Sequence, residues 1–322
     1  MPLWMDTEVF FEAARVEAGD RSTRTMELRR AEAGLGHQSE PTTLEFRLEA
    51  TRAAAPESLL GVDGNSLVVR VKRAYGARRF ELGPVQLEAR AGLAPDRFTA
   101  RMDGALDLRA TGPLLVERGG FLETSELGAG VRLAALEGRV AAAFDVLQGE
   151  GRREVETNDV WDVAGLLEVE PVDGVHVLGH ARRGRLGPGE ARNNRLGGGL
   201  AWRGERHAAG VEYHRADGVD GRGSQTAEGL GLALQGRVWV DGPGGVVRFE
   251  RLDVDFDRDD SIAHRWTAGV FTDLGPDAAT RFRVWALWQD ERLGAGARPV
   301  AGDPGVVQRV LGVVELRAGS DL

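Results

Sequence analysis

Almost the whole chain alternates apolar and polar residues with a period of two. That period belongs to extended strands whose two faces meet different surroundings, and the 3.6-residue period of an amphipathic helix is nearly absent. Leu44, Phe46, Leu48 and Ala50 share one face of a segment whose other face carries Glu45, Arg47 and Glu49. Leu67, Val69 and Val71 stand opposite Arg70 and Lys72, and Val85, Leu87 and Ala89 opposite Gln86, Glu88 and Arg90. Late in the chain, Phe282, Val284, Ala286 and Trp288 alternate with Arg281, Arg283 and Gln289. The fold class this predicts is all-β.

The connections sharpen the prediction. Strands are expected at Thr7–Gly19, Ser22–Ala33, Thr42–Ala54, Ser66–Tyr75 and Arg79–Ala91, although MELRRAEA within the second suits a helix equally well. From Ser125 on, hairpins turn tightly at Glu137-Gly138, Pro171 to Gly174, Gly204, Asp241 to Gly245 and Leu274 to Asp277. Between them lie longer polar links: Gln148 to Asp159, Arg183 to Asn193, Ala216 to Glu228, Asp257 to Ser261 and Asp290 to Gly305. Short and long connections alternating over about sixteen strands is the rhythm of an antiparallel up-and-down transmembrane barrel, with short turns at one rim and long loops at the other. Residues 1–322 are then one barrel domain.

One stretch breaks the alternation. Gly92 to Thr124 holds Pro95, Pro113 and several glycines, and its centre, RFTARMDGALDLRA, is a short-helix candidate that Gly104 weakens. It carries Arg97, Arg101, Arg109 and Arg118 against Asp96, Asp103, Asp107, Glu117 and Glu123. Four cations against five anions assign no preference for either sign.

Alternation alone does not separate a barrel in lipid from a soluble β-sandwich. Three features favour the barrel: long charged residues on the polar face, many small residues on the apolar face, and aromatics near strand ends. Trp161, Trp202, Tyr213, Trp266 and Trp288 are candidates for interfacial girdles. No run is long and apolar enough for a transmembrane helix, which leaves a β-barrel open. A net charge of -9 argues against a nucleic-acid partner, and the lack of cysteine excludes a disulfide framework. MPLWMDTEVFFEAARVEAG does not read as a signal peptide, so export to the outer membrane implies a leader upstream of this sequence.

The segments VQLEARAGLAPDRF and LDLRATGPLLVERGGFLETSELGAGV, with LGGGLAWRGERHAAGVEYHRADG further on, resemble outer-membrane porins of the phosphate/polyphosphate-selective type. The resemblance implies a sixteen-stranded barrel in the bacterial outer membrane, usually a homotrimer, passing small hydrophilic solutes or anions such as phosphate. It also implies that the third long loop folds inward and narrows the pore; by strand count that loop is Gly92 to Thr124. The chain departs from such porins in two ways. It ends ELRAGSDL, without a terminal aromatic, and it has a single lysine, Lys72.

In that frame Arg97, Arg101, Arg109, Arg118, Asp103, Asp107 and Glu117 are the expected constriction and solute-binding residues. Arg70, Lys72, Arg90 and Arg132 are expected to form a basic track along the lumen. Opposed charges across a narrow pore make a transverse field, and arginines attract anions; the competing reading is that these charges pair and only hold the loop to the wall. Asp253, Asp255, Asp257, Asp259 and Asp260 fail the calcium-loop pattern, since Arg258 and His264 stand where glycine and glutamate belong, and read as an acidic rim. His176 and His180 lie roughly 13 Å apart if on one strand, too far to share a metal. Glu212 and His214 read as a solvated pair in the lumen. No cofactor or metal site is expected, and without GxSxG, HExxH or Walker patterns an enzyme is not expected either. The alternative is a non-conducting or soluble all-β envelope protein that binds a ligand or partner through its loops.

Overall fold

The computed structural model describes residues 3–19, 21–52, 67–149, 158–187, 191–219, 222–240, 242–255, 260–274, 280–294 and 306–321. Its strands are β1 (Leu3–Ala18), β2 (Arg21–Ser39), β3 (Thr42–Arg52), β4 (Leu67–Leu82), β5 (Val85–Pro95), β6 (Ser125–Ala135), β7 (Val140–Leu147), β8 (Asp162–Val169) and β9 (Val175–Arg183). They continue as β10 (Arg185–Leu186), β11 (Ala191–Arg192), β12 (Asn194–Arg203), β13 (His207–Val219), β14 (Arg222–Arg237), β15 (Gly244–Asp253), β16 (Ile262–Asp273), β17 (Thr280–Leu293) and β18 (Val306–Asp321). The short β10 and β11 form a ribbon of their own, and the other sixteen close into one antiparallel barrel in which β1 pairs with both β2 and β18.

The two faces sort as the alternation predicts. Val131, Leu200, Leu232, Leu234, Val247 and Val270 are exposed on the outside, whereas Glu49, Arg182, Glu250 and Arg283 are buried inside. Trp161, Trp202, Tyr213, Trp266 and Trp288 are all exposed. An apolar exterior around a charged interior is the reverse of a soluble sandwich. Closure suits it to lipid, where an open sheet edge would leave backbone groups without partners.

Several segments differ from the sequence expectation. Arg79 to Leu82, expected at the start of the fifth strand, continue β4, whose pairing with β5 runs to Leu82 opposite Val85. MELRRAEA is strand within β2: it pairs with β1, and from Ala31 to Ala33 with β3 as well. Gly92 to Pro95 are also strand, because their backbone pairs with Tyr75 and Ala74 on β4 and with Gly128 to Ser125 on β6. The irregular stretch therefore begins at Asp96.

Two bulges also break the strict alternation. One falls where Phe10 and Phe11 face Arg30 and Leu28, leaving Arg29 as the extra residue. The other falls where Arg47 and Leu48 face Arg73 and Val71, leaving Lys72 extra. A bulge sets two successive residues against one and re-aims a side chain. Consecutive cations consequently both point inward: Arg29 reaches Glu12 and Arg30 reaches Glu49, while Lys72 reaches Glu32 and Arg73 reaches Glu45.

Leu232 sits in mid-strand on the outer face of β14. Leu232→Arg is expected to destabilise the barrel in lipid vesicles by about 2–4 kcal/mol, as for a lipid-facing cation near the midplane. A urea titration of refolded protein measures this, and an unchanged midpoint would mean that the face does not meet hydrocarbon.

Candidate functional site

The link from Asp96 to Thr124 folds into the barrel instead of over its rim. Asp96 caps helix α1 (Arg97–Leu106) by accepting the Thr99 N–H at 2.8 Å. The helix forms despite Gly104 because Phe98, Met102, Ala105 and Leu106 share a buried face, and burial outweighs the roughly 1 kcal/mol glycine penalty. Asp107 ends it in the left-handed region with φ 50°. A 3-10 turn at Arg109–Thr111 and the four-residue helix α2 (Leu115–Arg118) follow.

The wall makes room for this apolar face. A Cβ at Gly199 on β12 would stand 3.0 Å from Met102 Sδ, and one at Gly210 on β13 would stand 2.9 Å from a Leu106 methyl. Side chains at these inward positions would crowd Met102 and Leu106 where they now rest on the sheet.

Polar anchors complete the seat. The Leu115 and Val116 N–H groups donate to Glu212 at 3.1 and 3.2 Å. His214 Nε2 lies 3.0 Å from Glu212 Oε2, and its Nδ1 lies 3.0 Å from His180 Nε2, with Phe98 against both rings. Glu212 and His214 are therefore not a solvated lumen pair: the loop covers them, and they hold its backbone. Arg248 donates to Thr111 Oγ1 and to the Pro113 carbonyl, both at 2.8 Å, and Gln289 to the Thr111 carbonyl at 3.1 Å. From β2, on the other side of the β1–β18 seam, Arg29 donates to the Ala110 carbonyl at 3.2 Å.

The loop's charges are paired. Arg97 meets Glu88 at 3.0 Å and Asp145 at 3.2 Å, and Arg101 meets Glu168 at 2.5 Å. Arg109 pairs within the loop, with Asp103 and with Glu117, and Arg118 pairs with Glu250 on β15. Burial lowers Arg118 to about 10 although Glu250 pulls the other way, and burial lowers Arg109 as well. Arg101 is the most exposed of the four, with 40% of its side chain open. Asp107 draws in Arg281 at 2.7 Å, Arg317 at 2.8 Å and Arg283 at 3.4 Å.

Along the wall, Lys72 is buried against Glu32, Arg90 meets Asp145 at 3.1 Å, Arg132 meets Glu168 at 3.2 Å, and Arg70 is half-buried on β4. Acidic and basic groups are interleaved on both the loop and the wall, not gathered into opposite poles. Among the described residues no group of three or more His, Asp or Glu is arranged to hold a metal. Asp253 is buried and takes the Ser261 hydroxyl, while Asp257 and Asp259 lie outside the described residues.

Sequence reading did not identify Arg29, Arg248, Arg281, Arg283 and Arg317 as loop anchors. Their inward parity is visible in the alternation for β15, β17 and β18, but which part of the loop each would meet is not.

No protein-family model matches the chain, and no curated protein matches it in sequence. Solved structures do match. An anion-selective porin from Comamonas acidovorans is 14% identical, covers 99% of both chains and superposes with a TM-score of 0.65. OmpF of Salmonella typhi, in complex with daunomycin, is 13% identical over 97% of both chains with a TM-score of 0.64. The trimer form of OmpT, an outer membrane protein of Vibrio cholerae, is 12% identical over 98% of this chain and 99% of its own, with a TM-score of 0.58. The fold is that of the bacterial outer-membrane porins.

Asp107 supplies a direct test of the loop's seating. Burial opposes its ionisation, but Arg317, Arg281 and Arg283 overcome this and hold the carboxyl down at about 2. A depressed carboxyl pKa stabilises the fold above the unfolded value near 4, and the contribution is lost as pH falls through the folded value. Asp107→Asn is expected to cost about 2 kcal/mol at pH 7 and progressively less from pH 4 to pH 2. Denaturant midpoints of the two proteins across that range measure it, and a pH-independent difference would refute the linkage.

Proposed function

We propose that this protein is an outer-membrane diffusion channel for small hydrophilic solutes or ions, and that the inward-folded part of the Gly92–Thr124 stretch, Asp96 to Thr124, is its constriction. The observation that carries the reading is the β5–β6 link packed inside a lipid-compatible barrel, among side chains that remain open to water. Arg101, Arg203, Arg281 and Arg317 keep between 30% and 45% of their side chains exposed while facing inward. A sealed, non-conducting interior has no reason to keep water-facing guanidinium groups against the loop. Transport is passive in this reading, without catalysis.

Solute choice follows from the charges that stay accessible. Arg97, Arg109 and Arg118 serve mainly to hold the loop, together with Asp103, Asp107 and Glu117. Arg101 presents charge to the passing solute, and Arg70, Lys72, Arg90 and Arg132 set a weaker background along the wall. Anion preference, and phosphate in particular, rests on the resemblance to phosphate/polyphosphate-selective porins and on the exposed arginines. The paired state of most other cations favours a modest preference.

A homotrimer is part of the proposal. The exposed Trp and Tyr residues, Trp161, Trp202, Tyr213, Trp239, Trp266 and Trp288, fall between β8 and β17. The face from β18 through β1 to β7 has none of them among its described outward residues, and small residues meet there where Gly76 pairs with Ala91 and Ala91 with Ala129. Such a face suits contact with a second copy better than an interfacial girdle.

Planar-bilayer recording tests the channel. The protein is expected to conduct steadily, and Arg101→Ala to lower its anion-to-cation permeability ratio roughly two- to fivefold, since one unit charge at about 4 Å in water is worth about 1 kcal/mol. Insertion without current would overturn the channel reading; current with an unchanged ratio would remove Arg101 from the selectivity.

A further inference from the structure

The outer surface carries an arrangement that conduction does not use. Cross-strand register sets Arg251 on β15 directly opposite His264 on β16, and His264 directly opposite Arg292 on β17. All three lie on the outward parity, in line with the exposed Val247, Trp266 and Trp288. Directly opposed residues in an antiparallel pair have Cβ atoms about 4.5–5.5 Å apart. Three nitrogen-bearing side chains thus stand in a row near the end of these strands, at the rim that also carries the inward-folding loop.

The row has carboxylates nearby, but they are already engaged. Arg251 lies 3.8 Å from Asp253, which takes the Ser261 hydroxyl. Arg292 lies 2.9 Å from Asp290, which also accepts Gln308 Nε2 at 3.0 Å. Both carboxylates are buried, whereas the Arg292 side chain is 70% exposed and that of Arg251 39%. The guanidinium groups therefore keep N–H donors facing outward. Immediately below the row sits an aromatic floor: the Phe249 ring lies 4.6 Å from Trp266 and 6.0 Å from the His264 ring. Cationic donors above exposed aromatics match a molecule with an anionic head and apolar tails, and guanidinium forks suit phosphate in particular.

We propose that Arg251, His264 and Arg292 form a docking row for the phosphate of a phosphorylated lipid in the outer leaflet. The lipid's tails lie over Phe249, Trp266 and Trp288, and its phosphate spans the two arginines with the imidazole between them. The proposal rests on the membrane reading of the barrel but not on conduction.

The test uses the full-length protein, purified in detergent and titrated with bis-phosphorylated lipid A, with the bound lipid counted by native mass spectrometry. The parallel arms are the same lipid with both phosphates removed, and inorganic phosphate as competitor. Wild-type protein is expected to retain the phosphorylated lipid at least tenfold more tightly than the dephosphorylated one. The double variant Arg251→Ala/Arg292→Ala is expected to lose that difference while keeping its β-sheet circular dichroism and its bilayer conductance. His264→Phe keeps the aromatic floor and is expected to weaken binding by a smaller factor. Equal retention of both lipids, or an unaffected double variant, would overturn the proposal. Displacement by inorganic phosphate at the same concentration as the lipid would assign the row to a free anion and overturn the lipid. Absence of conductance in wild-type protein that binds the lipid would instead count against the channel alone.

Discussion

Everything in this molecule depends on the ladder between its first and last strands. β1 and β18 pair antiparallel from Trp4 opposite Asp321 to Ala18 opposite Val307, and that pairing removes the two edges an open sheet of this size would expose. In hydrocarbon an unpaired backbone group costs several kcal/mol, so closure is what permits the apolar exterior. It also encloses the polar faces of sixteen strands. Glu32, Glu49, Arg182 and Arg283 are brought close enough to need partners, and pairing between strands supplies them, while Glu250 takes Arg248 of its own strand and Arg118 of the loop.

The enclosed link between β5 and β6 is the second consequence. A chain segment inside a charged lumen must satisfy both its apolar side chains and its backbone. The wall meets the first need with glycines at inward positions, as at Gly199 and Gly210. It meets the second with side chains that reach inward, Glu212 to two amide groups, and Arg248, Gln289 and Arg29 to carbonyls. Because these contacts come from β2, β13, β15 and β17, the loop is fixed from several directions. Its remaining charges are largely consumed in holding it, which leaves Arg101, with Arg203, Arg281 and Arg317 of the wall, as the water-facing part of the lumen.

The inside and the outside of the barrel therefore obey different rules. Outside, side chains are selected for hydrocarbon contact and for the interface, and the Arg251–His264–Arg292 row stands out because it fits neither. Inside, charge is abundant but interleaved, so neither bank of the lumen acts as a single pole. Arg109 between Asp103 and Glu117 shows this within the loop, and Lys72 against Glu32 shows it on the wall.

Much of this was legible in the residues. A period of two writes itself along each strand, so the all-β class, the strand count, the short and long rims and the place of the loop follow from local pattern. A short helix was visible in RFTARMDGALDLRA, weakened by Gly104, and α1 occupies its first ten residues. Other features were not readable, because they depend on residues far apart in sequence. That Arg29 and Arg30, and again Lys72 and Arg73, face inward as consecutive pairs is the work of bulges that exist only in the register between two strands, and a single-strand pattern has no term for register. Glu212 and His214 look like any polar pair on a lumen face until α2 is laid over them. The clamp on Asp107 gathers side chains from β17 and β18, more than 170 residues away. Sequence alone determined the alternating surfaces, because side-chain parity is a local property of extended backbone; only the tertiary structure decided which inward charges meet, because closing the barrel chooses their neighbours.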